Sequence, residues 1–406
     1  MAVSSKVGSI TQATSTGNQA YTGVGFEPKI LIFFGNTSTA DGNGTGTSFN
    51  FGVATSSSDR RCMSINGADA ASRTITYASN VKCYSCFDND LFATKLAEAD
   101  LVTMDADGFT LNWTTADASA RIVNYIAIGG SSVTNVQTGE ETARTTTGTK
   151  ATTGVGFQPD GMLYFFPSLI TAATLEGAET HRSFIGWASS TTARGVTGQR
   201  DITGAVEATR QQQTNGVIAF TNAADSAAFA DLQSFDTDGF TLNWTTVTGS
   251  ANYFYWVALK GVSIKAGSFN QATSTGNQAT TGVGFKPASL ILQSFCNTST
   301  TSVVSHKRCS FGAGSSASAR GCVWAGSTDA ASPAVRKTNL DRTKIIKLMT
   351  EASGGPTVDA AADLVTLDSD GFTLDWTTVD ATAREVLYLA IGPGGVERRW
   401  LFGAHL

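Results

Sequence analysis

Charge is scarce in this chain. Asp, Glu, Lys and Arg together make 15% of its 406 residues, and the formal net charge is −5. A nucleic-acid surface needs clustered lysine and arginine to displace counterions, so no nucleic-acid partner is expected. No stretch reaches the roughly 18 consecutive apolar residues of a membrane helix, and no membrane association is expected. The start, Met1-Ala-Val-Ser-Ser-Lys-Val7, lacks the apolar region of a secretory signal. The expectation is a chain made in a cytoplasm, a location that also suits a particle released by lysis. Histidine occurs three times, as His181, His306 and His405. No recurring Ser-His-Asp or Cys-His arrangement can be assembled from so few. The six cysteines leave the middle of the chain empty, with none between Cys86 and Cys296. A disulfide framework is therefore not expected. Cys62 and Cys322 align with Val196, which marks a packing position.

What the chain has in quantity is glycine (42), phenylalanine (23) and a hydrophobic fraction of 41%, which argues against disorder. It also says nearly the same thing three times. Thr22-Gly-Val-Gly-Phe26-Glu-Pro28 returns as Thr153–Pro159 and Thr281–Pro287. Asp105-Ala-Asp107-Gly108-Phe-Thr-Leu-Asn-Trp113 returns as Asp236–Trp244 and Asp368–Trp376. A repeat near 130 residues is a whole domain rather than a solenoid unit. The spacing predicts three modules, 1–131, 132–262 and 263–395, followed by a tail, 396–406. Each module is long enough to bury its own core.

Within a module the pattern is that of strands. A short opening strand and a Gly-Asn turn lead to Gly-Val-Gly-Phe-x-Pro. An apolar run follows, Ile30–Phe34 in the first copy and Met162–Phe166 in the second, which predicts a central strand covered on both faces. Phe109, Leu111 and Trp113 alternate with polar residues, as one buried strand face requires. About eight strands and no convincing amphipathic helix predict an all-β chain of three tandem antiparallel β-sandwich modules, jelly-roll-like in kind. Variable polar loops on a fixed scaffold are where binding usually resides; the middle loops at about 37–47, 168–182 and 297–308 are such segments, and the sequence assigns them no partner.

The Asp-x-Asp-Gly signature invites a calcium assignment. An EF-hand loop needs a bidentate Glu at its twelfth position; counting from Asp105 that position is Ala116, and from Asp368 it is Val379. Asp105, Asp107 and Gly108, with Asp236, Asp238 and Gly239 and with Asp368, Asp370 and Gly371, are therefore read as structural hairpin turns. No metal, cofactor or catalytic residue is assigned. Trp113, Trp244 and Trp376 read as core residues, with a sugar-stacking platform as the alternative. In the tail, Arg398, Arg399, Trp400 and Phe402 form a short basic–aromatic group that could cap the last module or dock a partner.

Gly156-Phe-Gln-Pro-Asp160, Asp368-Ser-Asp-Gly-Phe372 and Tyr253-Phe-Tyr-Trp-Val-Ala258 resemble repeats found in virion proteins of tailed bacteriophages. The resemblance touches the ends of all three modules and not their middles. It implies a non-enzymatic component displayed on the virion, of tail, fibre or capsid-decoration type. Its partners would be other virion proteins, namely capsid or tail subunits, and a homo-oligomer would fit. Two alternatives stand beside it: a host-attachment adhesin that binds host-surface glycans, and a glycan-active enzyme.

Overall fold

The computed structural model describes residues 2–71, 73–89, 94–167, 175–176, 180–202, 208–221, 226–298, 301–330 and 335–394. They form β-strands and no helix. In the first third the strands are β1 (Ser4–Thr11), β2 (Gly17–Thr22), β3 (Pro28–Gly35), β4 (Gly42–Thr45), β5 (Thr47–Ala54), β6 (Arg60–Gly67), β7 (Thr74–Ser79), β8 (Tyr84–Phe87), β9 (Lys95–Asp105), β10 (Gly108–Ala116) and β11 (Ile122–Gly129). One sheet runs β1-β11-β3-β5-β6-β7, and a second runs β2-β10-β9-β8. Every pairing is antiparallel, and the same order recurs in the middle and last thirds.

The sequence explains why the larger sheet is central. In β3, Leu31 and Phe33 meet Leu101, Phe109, Leu111 and Trp113 of the smaller sheet, giving a β-sandwich-like layer. Ile30, Ile32 and Phe34 point to the opposite face, where they join Phe51, Met63 and Ile126. An unbroken apolar run suits a strand buried on both faces.

That second face is where the thirds meet. Phe51 lies 4.9 Å from Phe165 of the middle third and 5.5 Å from Phe311 of the last, ring centre to ring centre. Phe34 lies 5.1 Å from Phe311. All three contacts are edge-on, the favoured arrangement of aromatic quadrupoles. The expectation that each third buries its own core therefore covers only part of the packing. The first and last thirds have private cores between their sheets. The core of the middle third is continuous with a cluster drawn from all three.

Among the described residues each third has eleven strands rather than the expected eight, and one of the eleven is a short arm sent to a neighbour. Leu175–Glu176 of the middle third pairs with β7 of the first. Val304–Ser305 of the last third pairs with Ala208–Gln213 of the middle. β4 of the first third pairs with Arg336–Asp341 of the last. The relation is cyclic, so the three thirds close into a ring.

Candidate functional site

The two repeated signatures are one device. The turn Asp105–Gly108 closes the β9–β10 hairpin, with Asp105 opposite Gly108. It presents the Asp107 carboxylate to the Gly-Val-Gly loop, where it accepts backbone hydrogen bonds from Gly23 (3.0 Å) and Gly25 (2.5 Å). Asp238 does the same for Gly154 and Gly156 (2.9 and 2.5 Å), and Asp370 for Gly282 and Gly284 (3.1 and 2.5 Å). In the middle copy these two N–H donors hold the Asp238 carboxyl below the ordinary value of 3.8. The first aspartate of each signature accepts from two hydroxyls: Thr103 and Thr110 on Asp105, Ser234 and Thr241 on Asp236, Thr366 and Thr373 on Asp368. The carboxylate oxygens thus face donors, which is the chemistry of a clamp and not of a cation shell.

The joints of the ring repeat as faithfully. Beyond the arms, the β5–β6 hairpin of each third reaches the opening strand of the next. Asp59 accepts from the backbone N of Thr138 (2.9 Å), the Ser189 hydroxyl from that of Ala266 (3.0 Å), and the Ser315 hydroxyl from that of Val7 (2.9 Å). The opening strand is the edge of its sheet, and an edge strand carries unpaired backbone groups that must be managed. Each third supplies one such cover to its neighbour.

Where the three thirds converge lies a buried ionic cluster. Asp201 of the middle third receives Arg336 of the last at 2.9 Å and Lys307 of the last at 3.6 Å, and each of the three side chains is 1% exposed. Burial lowers the Lys307 ammonium from its ordinary value, an effect that Asp201 opposes. Arg336 also donates through Nη1 to the carbonyls of Ala68, Ala71 and Arg73 in the first third, and its backbone N donates to Asp69 (2.8 Å). It therefore holds all three thirds at once. These charges do not recur between repeats, so a search for shared residues passes over them. The signal open to a sequence reader was a pair of adjacent basic residues opening each of two strands, Lys307-Arg308 and Arg336-Lys337.

The variable polar loops contain the arms. Gly42–Thr45, Leu175–Glu176 and Val304–Ser305 fall in the three windows 37–47, 168–182 and 297–308, so these segments serve the joints. Trp113, Trp244 and Trp376 are buried at 0, 1 and 0% exposure, which removes them as a sugar-stacking platform. All six cysteines are buried free thiols; burial pushes Cys62, Cys86 and Cys309 up to about 12, so they are poor nucleophiles. His306 accepts a hydrogen bond from the backbone N of Asp329 (3.0 Å) and lies 3.4 Å from Glu351, within the joint of the middle and last thirds. The tail group Arg398, Arg399, Trp400 and Phe402 lies outside the described residues. Open grooves run beside two joints. One, of about 600 Å³, is bounded by Ser4–Lys6 and Ser315–Ala319, and one of about 390 Å³ by Lys265–Ser268 and Thr192–Arg194.

The β-sandwich-like all-β fold is the class that these observations define. Comparison with protein-family models and with curated proteins gives no match.

Proposed function

We propose that the chain is a non-enzymatic structural protein of a tailed-phage virion. In this reading it comprises three tandem β-sandwich modules, jelly-roll-like in the wrapping of their opening and closing strands. It is displayed on the particle and reinforces or decorates the capsid or tail through contacts with neighbouring subunits. The observation that carries the reading is the cyclic exchange of arms: the polar loops, the repeated signatures and the buried charges all serve to hold one shape. A rigid block with three similar faces suits the bridging of neighbouring subunits. The adhesin alternative has lost its recurring tryptophans.

Gold-labelled antibody against the purified protein, applied to intact particles from cells that make it, tests this reading. Surface label in many copies per particle is the expected result; purified particles without the protein would overturn it. Binding to one glycan across a broad array, together with label confined to a tail tip, would favour the adhesin.

A further inference from the structure

Of the three joints, two connect thirds that follow one another along the chain. The third connects β4 to Arg336–Asp341, almost 300 residues apart, with the whole middle third lying between them along the chain. It is also charge-selective. On the side of the first third stand Asp41 and Asp69. On the side of the last stand Arg336, Lys337 and Arg342. Arg342 meets Asp41 through Nε, Nη2 and its backbone N at 3.0–3.2 Å, and Lys337 meets Asp69 at 2.5 Å. Asn36 donates to Thr338 and to the Asn339 carbonyl (both 3.0 Å), and Asn339 donates to Asn43 (2.7 Å). Among the described residues its arm pairs four residues, Gly42–Leu340 through Thr45–Lys337, whereas each of the other arms pairs two. One acidic face and one basic face on a single chain make a heterologous, head-to-tail contact.

We propose that this joint also links copies, the partner being a second molecule of this chain whose Arg336–Asp341 strand accepts β4 of the first. Main-chain pairing supplies the attachment. The acidic and basic faces select this strand over other sheet edges and fix the direction of the link. In dilute solution the intramolecular joint wins, because the chain supplies its own arm at a high effective concentration. Exchange grows as the concentration of chains approaches that value. The inference rests on the joint's geometry and does not depend on the virion reading.

The test mixes two full-length single variants, Asn43→Cys and Asn339→Cys, whose altered positions lie directly opposite each other. They are unfolded together, refolded, and then oxidised mildly, with the native thiols buried. Disulfide-linked dimers that contain one of each variant are expected, and raising the refolding concentration tenfold should raise the dimer-to-monomer ratio about tenfold. The double variant in one chain, refolded dilute, should give a crosslinked monomer that migrates faster on a non-reducing gel. A crosslinked monomer without mixed dimers at any concentration would overturn the exchange. Failure of the double variant to crosslink would overturn the joint itself.

Discussion

Gly239 carries a φ of 138°, and a Cβ built on it would lie 2.0 Å from the carbonyl oxygen of Thr152. No side chain fits between the turn and the strand it closes on. Gly239→Ala should therefore destabilise the protein by about 2 kcal/mol or more, combining backbone strain with overpacking, read as a lowered urea midpoint. The neighbouring Asp238 makes a different prediction. Its folded-state pKa is depressed by the Gly154 and Gly156 N–H groups, so its contribution is present above the ordinary carboxyl value and is lost as pH falls through the depressed one. Hydrogen exchange in the segment 150–160, corrected for the intrinsic pH dependence, should lose protection below pH 3.8; unchanged protection there would contradict the clamp. Arg336 is a costly residue to remove. Arg336→Ala takes from Asp201 the guanidinium at 2.9 Å and strips a donor from three carbonyls of the first third. Breaking a buried ion pair from one side costs about 3–5 kcal/mol, and Arg336→Ala with Asp201→Ala should recover part of that loss in a denaturant melt.

At the scale of elements, much was legible because periodicity reports burial. The run Ile30–Phe34 announced a strand covered twice, and its alternate residues do enter two cores. Phe109, Leu111 and Trp113 announced one buried face, and all three are 0% exposed. The arms were not legible. β4 reads Gly-Asn-Gly-Thr, with no β-branched or aromatic residue before its last position, and main-chain pairing needs none. The contact between the two signatures was hidden for another reason: turn aspartates and loop glycines each have a sufficient local explanation, and their meeting spans more than 80 residues of chain. The tail motif was legible only as composition. For the arm itself, replacing Asn43 and Gly44 together with proline removes at least one N–H that points at the partner strand, since neighbouring residues alternate in direction. Amides of Arg336–Asp341 should then exchange about tenfold faster or more. The strand, now an exposed edge, should also increase association by light scattering.

The whole molecule is held by what its thirds share. Phe34, Phe51, Phe165 and Phe311 bring rings from all three into one cluster, and the cyclic arms prevent any third from leaving without exposing a sheet edge. A ring of this kind loses its parts together, whereas three beads on a string lose them one by one. The most direct measurement is scanning calorimetry of the intact chain beside Phe51→Ala, a change at a fully buried position that should cost about 3–5 kcal/mol. The account predicts a single transition whose calorimetric and van't Hoff enthalpies agree, shifted as a whole to lower temperature by the substitution. Three separable transitions, with only the first third's moved by Phe51→Ala, would contradict it.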